Sequence, residues 1–337
     1  MTSPPRIAIY GAGMVGSYLG GRLHGHAQVR FIARPRVASM LKEHGLTISD
    51  LHGHRRHISA ADVDVATQPA AARDVDAVLV TVKSAATMNV AHELAEVLTP
   101  GALVISFQNG VRNTADLRAA LPSCHVLAGM VPFNVMQPEP AHFHQGSSGD
   151  LMVERSALLS PTLHSAFEDS GLPLQPCDDM QAVLWAKLLI NLNNALNALS
   201  GLPLREELAQ RAWRQCLALL QREGLRMLHA AGIRPAQVTA LPARWLPAVL
   251  SLPDALFQRI ASRMLAIDPL ARSSMWDDLQ AGRRTEVDYI NGELVALAKS
   301  RGLHAPANAR MVALIREAEQ SYVRWEGHAL LKTLLDA

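Results

Sequence analysis

The chain has 337 residues, which is enough for two domains that each bury a core. Its 32 Lys and Arg residues nearly balance 30 Asp and Glu residues, and the formal net charge is +2. This balance and the aromatic content of 4% give no support to a nucleic-acid-binding or membrane-surface protein. Cys124, Cys177 and Cys216 lie far apart and form no CxxC pair, so we expect buried small side chains and neither a disulfide framework nor a zinc site.

The sequence carries no recognisable targeting or membrane signal. Its N-terminal residues lack the basic region and long apolar core of a signal peptide, and no window has the ~18 to 20 apolar residues of a membrane-spanning helix. We therefore expect a soluble, cytoplasmic protein. Its oligomeric state stays open, because the Leu-rich C-terminal helices fit a homodimer and a packed domain core equally well.

A glycine-rich turn follows the first predicted strand, residues 7–10, and leads into a predicted helix. Gly11 permits a tight turn, Gly13 lets the backbone approach a diphosphate, and Gly16 lets the helix pack close to the strand. The unpaired N–H groups at the helix start favour an anion. We therefore predict a dinucleotide-binding turn, with a simple glycine-rich turn as the alternative. The turn consists of Gly11, Ala12, Gly13, Met14, Val15 and Gly16.

Further apolar runs in the first half of the chain predict strands at residues 29–33, 77–82, 103–107 and 126–131. Segments with a helical pattern, such as residues 87–98 and 113–121, separate these runs, which predicts a parallel sheet with helices on both faces. Residues 46–58 are rich in His, Arg and Gly and predict a small hairpin or loop excursion. Short strands at residues 149–154 and 172–175 are expected to extend the sheet edge.

From residue 178 onward the pattern becomes helical, with long amphipathic or apolar segments at residues 180–199, 205–231, 283–301 and 307–335. Four prolines between residues 235 and 253 predict broken helices or a loop. We therefore predict a cofactor-binding domain at residues 1–177 and a helical substrate domain at residues 178–337.

The end of the second predicted strand indicates which dinucleotide is bound. An Asp or Glu at this position accepts hydrogen bonds from the ribose hydroxyls of NAD, whereas this chain has Arg34, with Arg36 two residues on. A guanidinium can hold a 2′-phosphate through paired, charge-assisted hydrogen bonds. The sequence therefore favours NADP(H), and two solvated loop arginines are the alternative.

Two further polar residues end predicted strands. Lys83 follows the strand at residues 77–82, and Asn109 follows the strand at residues 103–107. The carboxyl ends of strands line the ligand crevice in a doubly wound sheet, so both side chains can face a cofactor or an anionic substrate. A surface lysine and an ordinary Asn-Gly turn are the alternatives.

The helical half of the chain contains a sharper pattern. Lys187, Asn191 and Asn194 are spaced i, i+4 and i+7, and they share one face of a helix that is otherwise apolar. Placing these groups among Trp and Leu side chains has a desolvation cost that a bound ligand could offset. A polar stripe exposed to water is the alternative.

A second polar block spans residues 273–292 and includes Ser274 and Glu286. Thr285 and Asp288 resemble a capping box, in which case Glu286 would only complement the helix dipole. The functional interpretation places Glu286 beside a catalytic lysine.

Two other features predict no chemistry. The His residues at 52, 54 and 57 and at 142 and 144 alternate on predicted strands without Cys or carboxylate partners, which is more typical of a solvated strand face than of a metal site. Ser273 and Ser274 lack the GxSxG turn of a serine nucleophile.

Together these blocks resemble the ketopantoate reductase family, the NADP-dependent 2-dehydropantoate 2-reductases. The resemblance covers nearly the whole chain: GAGMVG at residues 11–16, Arg34, TVK ending at Lys83, QNG containing Asn109, WAKLLIN with Lys187 and Asn191, and SSMWDDLQAGRRTEVDYINGE with Ser274 and Glu286. It implies an α/β fold with an N-terminal Rossmann-type doubly wound sheet and an all-helical C-terminal domain, similar to 6-phosphogluconate dehydrogenase, that enclose a cleft.

The resemblance also implies roles for individual residues. Lys187 would donate a proton to the developing alkoxide while NADPH delivers a hydride to the keto carbon of ketopantoate, and Glu286 would orient the lysine or contact the nicotinamide side. Ser274 would hold the substrate's carboxylate and hydroxyl groups together with Asn191 and Asn194. Lys83 and Asn109 would contact the cofactor or bridge it to the substrate.

Two departures from the family pattern bear on the substrate. Family members often have Gln at the position of Ala86. They also often have an Asn eight residues after the catalytic lysine, followed by Pro. In this chain Asn194 lies seven residues after Lys187 and is followed by Ala195. The leading expectation is ketopantoate reduction for pantothenate and coenzyme A synthesis. The alternatives are an NADPH-dependent reductase of another 2-keto acid or ketolactone and, from a different class, a cofactor-binding sensor without chemistry.

Overall fold

A computed structural model describes residues 3–260, 268–269 and 271–337. The chain divides into two compact units, Met1–Met180 and Gln181–Ala337. No helix in the described ranges is long and apolar enough to cross a membrane.

The first unit is an α/β structure. Its strands are β1 (Arg6–Tyr10), β2 (Gln28–Ile32), β3 (Leu46–Asp50), β4 (Arg55–Ile58), β5 (Asp64–Ala66), β6 (Ala77–Val80), β7 (Leu103–Ser106), β8 (His125–Met130), β9 (Val135–Glu139), β10 (His142–Gln145), β11 (Leu151–Glu154) and β12 (Leu174–Cys177). Its helices are α1 (Met14–Leu23), α2 (Pro35–His44), α3 (Thr87–Ala95), α4 (Asn113–Ala120) and α5 (Pro161–Asp169).

The larger sheet has the strand order β12-β11-β8-β7-β6-β1-β2-β5. Alternate residues of β1 pack into different apolar clusters, because Ile7 and Ile9 join the core shared with α1 and α5, whereas Ala8 joins the core shared with α3 and α4. The prediction of helices on both faces is therefore confirmed. The order reverses direction between β1 and β6, and this switch point places a crevice at the carboxyl ends of these strands.

The edge of this sheet departs from the expectation of a purely parallel arrangement. The predicted strands near residues 149–154 and 172–175 are present as β11 and β12 and extend the sheet, but β11 pairs with β8 in the antiparallel direction. The chain between β8 and β11 carries two strands and no crossover helix, so β11 returns along β8 in the opposite direction.

A second sheet has the order β4-β3-β10-β9. Strands β3 and β4 form the predicted hairpin, and β3 also pairs in parallel with β10, nearly a hundred residues further along the chain. The hydroxyl of Ser49 hydrogen-bonds to His142 Nε2 and His144 Nδ1, each at 2.8 Å. The expectation that the His pair is solvated is therefore wrong for His142, which is 9% exposed.

The second unit is helical, and its described residues contain no strand. Its helices are α6 (Met180–Asn191), α7 (Asn193–Ser200), α8 (Leu204–Ala209), α9 (Arg211–Ala230), α10 (Leu246–Leu250), α11 (Asp254–Ile260), α12 (Ser274–Gln280), α13 (Val287–Ser300), α14 (Pro306–Gln320) and α15 (Gly327–Leu335). The proline-rich segment forms a short 3₁₀ turn and α10, as predicted for broken helices.

Three of the predicted long helices are each divided into two. Residues 205–231 form α8 and α9, which are separated at Gln210, and residues 307–335 form α14 and α15. Residues 180–199 form α6 and α7, which are separated at Leu192. In a continuous helix the Leu189 carbonyl would accept a hydrogen bond from the N–H of residue 193. Here it accepts from the Nε2 group of Gln221, on α9, at 3.2 Å.

Candidate active site

The glycine turn lies between β1 and α1. Gly11 has φ +106°, and a Cβ there would lie 2.8 Å from the Val82 nitrogen. A Cβ at Gly16 would overlap the Gly11 carbonyl oxygen and the Thr81 hydroxyl. At Gly13, which immediately precedes α1, a Cβ would meet no atom within 4 Å. Gly11 and Gly16 are thus required by conformation and packing, whereas Gly13 leaves open space at the start of a helix, as a diphosphate requires.

The other three residues of the turn support it from the protein side. Ala12 is buried, and Met14 and Val15 are half-buried and pack on the apolar core of the sheet. Their side chains therefore hold the turn in place.

Arg34 lies at the same edge of the sheet as the glycine turn. The Gly11 N–H donates to the Ile32 carbonyl at 3.0 Å, so the turn contacts the last residue of β2 directly. Arg34 immediately precedes α2, whose first residue is Pro35, and Arg34 and Arg36 are both exposed. Their guanidinium groups are accessible to an anionic group that approaches this edge.

Lys83 and Asn109 follow the neighbouring strands β6 and β7, and side chains tie the two connecting loops together. The hydroxyl of Ser84 donates to the Asn109 carbonyl at 2.9 Å. Gln108 Nε2 donates to the Val82 carbonyl at 3.0 Å and to the Thr87 hydroxyl at 2.8 Å. Both sequence-predicted residues therefore lie on loops held together at the carboxyl edge of the sheet, where the glycine turn and Arg34 also lie.

Lys187 lies on α6 between the buried residues Ala186 and Leu188. The residue keeps part of its surface accessible, yet the ammonium is surrounded by protein, and this desolvation lowers the pKa of Lys187 from 10.5 to about 8. Asn191, one helical turn further on, is 7% exposed. The alternative of a water-exposed polar stripe is therefore wrong for this part of α6.

Asn194 is hydrogen-bonded to Ser273, the residue directly before Ser274, although the two are distant in sequence. Asn194 is half-buried on α7, and its carbonyl accepts a hydrogen bond from the Ser273 hydroxyl at 3.0 Å. The same hydroxyl accepts from the Trp276 N–H at 3.2 Å and so caps α12, whose first residue is Ser274. The sequence predicts no nucleophile at Ser273 and does not reveal this bridging role, although Ser is a preferred residue at the N-cap of a helix.

Glu286 is 9% exposed and immediately precedes α13. The Thr285 hydroxyl accepts from the Val287 N–H at 3.3 Å, but Glu286, not Thr285, occupies the N-cap position of this helix, so the predicted cap at Thr285 is wrong. The reciprocal half of a capping box is missing, because the Thr285 N–H donates to Glu319 at 2.8 Å and the Asp288 carboxylate pairs with Arg316. The carboxylates of Asp288 and Glu319 thus have structural partners of their own.

Metal-ligating side chains do not cluster in the described ranges, where no group of three His, Cys, Asp or Glu residues is placed to hold an ion. Cys124 and Cys177 are half-buried, Cys216 is buried, and all three are free thiols.

A Rossmann-type sheet with a glycine turn at its carboxyl edge, followed by a helical unit, is the architecture of a class of two-unit dinucleotide-binding proteins. The chain belongs to the ketopantoate reductase PanE/ApbA family. The family model matches residues 7–157, and the model of the family's C-terminal part matches residues 179–319.

Individual relatives agree with this assignment. A 2-dehydropantoate 2-reductase of Archaeoglobus fulgidus is 30% identical over 93% of this chain and 98% of its own length. A crystal structure of a PanE/ApbA family ketopantoate reductase from Ralstonia eutropha is 29% identical, with a TM-score of 0.79 over 94% of this chain and 99% of that one. A D-mandelate dehydrogenase solved with NADH and anilino(oxo)acetate shares the fold, with 20% identity and a TM-score of 0.77 over 94% of this chain and 99% of that one.

Proposed function

We propose that the protein is an NADPH-dependent reductase that converts 2-dehydropantoate to (R)-pantoate. The observation that carries the proposal is Lys187, a lysine whose pKa is lowered to about 8 by desolvation on an otherwise apolar helix. An amine held in this way, at a cost in free energy, is typical of a group that takes part in proton transfer. The family assignment supports 2-dehydropantoate as the substrate.

The first unit offers the parts that a nicotinamide dinucleotide needs. The open space at Gly13 suits a diphosphate at the start of α1, and the exposed Arg34 suits a 2′-phosphate, which makes NADPH the expected cofactor. Lys83 and Asn109 lie on loops at the same edge of the sheet and would contact the cofactor or bridge it to the substrate. When bound, NADPH supplies the hydride that reduces the keto carbon.

Lys187 would donate a proton to the carbonyl oxygen as that oxygen becomes an alkoxide. With a pKa of about 8, the amine is mainly an ammonium at neutral pH and is also a stronger acid than an exposed lysine. Its positive charge would stabilise the developing oxyanion in a poorly solvated site. Glu286 would orient this lysine, while Asn191, Asn194 and Ser274 would bind the carboxylate and hydroxyl groups of the substrate.

A second candidate keeps the chemistry and changes the substrate to another 2-keto acid or a ketolactone. Ala86 and the Asn194-Ala195 pair depart from the family pattern on the substrate side. The D-mandelate dehydrogenase that shares this fold was solved with NADH and anilino(oxo)acetate. A sensor without chemistry is disfavoured, because a protein that only binds cofactor needs neither Lys187 nor Glu286.

Initial rates of NADPH and NADH oxidation, measured with 2-dehydropantoate, phenylglyoxylate and a panel of aliphatic 2-keto acids, test these proposals together. The expected result is the highest kcat/KM with 2-dehydropantoate and NADPH. Turnover of phenylglyoxylate but not of 2-dehydropantoate would select the second candidate. No turnover of any keto acid with either cofactor would exclude the keto-acid reductases and leave a ketolactone reductase or the sensor.

A further inference from the structure

The residues that precede α12 are attached to α7 and to the start of α8 by hydrogen bonds. The Leu204 N–H donates to the Ala271 carbonyl at 2.9 Å, and the Arg272 guanidinium donates to the Gly201 carbonyl. The Ser273 N–H donates to Asn197 Oδ1 at 2.8 Å. Together with the bond from the Ser273 hydroxyl to Asn194, these contacts determine where α12 begins relative to α7.

Asn197 lies at the centre of this attachment and is fully buried. Its Nδ2 group donates to the Leu202 carbonyl at 2.9 Å and to Glu207 Oε2 at 2.6 Å. Because both acceptors face the amide nitrogen, the amide oxygen must point towards Ser273. Glu207 therefore helps to set the orientation in which Asn197 can accept the Ser273 N–H.

Glu207 itself occupies an unusual environment. It is fully buried, and it also accepts a hydrogen bond from the Ser200 hydroxyl at 2.9 Å. Burial raises the pKa of Glu207 to about 7, although hydrogen bonds from Asn197, Ser200 and Asn193 act in the opposite direction. It also interacts electrostatically with Cys216 on α9, a buried thiol.

Such a carboxyl has a desolvation cost that an apolar side chain would avoid. An apolar side chain, however, could not hold the Asn197 amide. We propose that Asn197 and Glu207 are positioning residues that hold Ser273, and through it Ser274, against Asn194, and that they thereby set the affinity for the keto acid. This inference rests on the proposed function, in which Asn194 and Ser274 bind the substrate.

The test compares Asn197→Leu with Asn308→Leu. Asn308 is an equally buried Asn on α14, and its Nδ2 group also donates to a buried carboxylate, Glu223, at 2.7 Å. Asn197→Leu is expected to raise the KM for the keto acid about tenfold, the equivalent of one buried hydrogen bond, with kcat and the KM for NADPH changed less than twofold. Asn308→Leu is expected to lower the melting temperature while leaving the KM for the keto acid unchanged.

Glu207 is tested by two replacements. Glu207→Gln keeps an acceptor for Asn197 and is expected to retain the wild-type KM for the keto acid, whereas Glu207→Ala is expected to raise it as Asn197→Leu does. Equal KM values for Glu207→Gln and Glu207→Ala would contradict the role of Glu207.

Two controls keep the outcomes distinct. If Asn197→Leu fails to fold, Ser273→Ala is measured in its place, because this replacement removes the hydrogen bond to the Asn194 carbonyl. A raised KM for the keto acid in Ser273→Ala supports the inference, and an unchanged KM overturns it. Wild-type turnover is measured first, because the absence of turnover would refute the proposed function itself. Wild-type turnover combined with an unchanged KM in folded Asn197→Leu would refute the positioning role alone.

Discussion

Replacing Lys187 by Met is expected to stabilise the protein while it lowers the kcat. Desolvation lowers the pKa of Lys187 from 10.5 to about 8, so the folded state disfavours the ammonium form. This penalty is fully present below about pH 8 and disappears as the pH rises towards 10.5. It corresponds to about 3 kcal/mol, at about 1.4 kcal/mol for each tenfold change in the equilibrium.

Methionine has a similar length and no charge, so Lys187→Met removes this penalty at neutral pH. Because the residue keeps some solvent exposure and the amine loses its own contacts, we expect a net gain of about 1 to 3 kcal/mol in the free energy of unfolding. The melting temperature should then rise by about 2 to 4 °C for each kcal/mol. The kcat should fall by about 10² to 10⁴ because the general acid is lost.

The assay is thermal and urea unfolding of wild type and Lys187→Met at pH 7 and pH 10, with Lys299→Met as a matched control. Lys299 is an exposed lysine on α13, so its replacement should change stability little at either pH. The gain for Lys187→Met should shrink at pH 10, where the wild-type amine is neutral. A variant no more stable than wild type at pH 7, or a gain that does not depend on pH, would refute the reasoning.

Three further predictions concern other parts of the chain. Arg34→Ala should raise the KM for NADPH far more than that for NADH, and equal effects on both would reject a 2′-phosphate contact. Gly16→Ala should destabilise the first unit, since a Cβ would overlap the Gly11 carbonyl, whereas Gly13→Ala should fold normally and lose NADPH affinity in calorimetric titrations. Burial raises the pKa of Glu207 from 4.5 to about 7, so the wild type loses stability as the pH rises through that range. The free energy of unfolding of Glu207→Gln should therefore equal that of the wild type near pH 4.5. At pH 8 it should exceed the wild-type value by up to about 3 kcal/mol.

The features that the sequence predicts well are those with local causes. The glycine turn could be predicted because a Cβ at Gly11 or Gly16 would overlap atoms that are close by, either in the same strand–turn–helix segment or at the end of the adjacent strand. The buried strands β6 and β7 could be predicted from continuous apolar runs. Lys187 and Asn191 stood out because polar groups one turn apart are conspicuous on an apolar helix.

The features that the sequence did not predict depend on partners far along the chain. The break at Leu192 coincides with a hydrogen bond from Gln221, on another helix. The burial of Glu207 could not be foreseen, because the adjacent Glu206 is exposed and the two have the same local pattern. Strand β9 contains Pro138, which argues against a central strand, and the structure places β9 at the edge of its sheet.

The smaller sheet has a consequence for the synthesis of the chain. Strands β3 and β4 can pair as soon as residue 58 has left the ribosome, but the other edge of β3 is covered only when β10, ending at Gln145, becomes available. Until then β3 presents unpaired N–H and C=O groups beside apolar residues such as Ile48. A nascent or truncated chain that ends between β4 and β10 therefore exposes an unpaired edge strand that can pair with another chain. Such fragments are expected to aggregate or to bind chaperones.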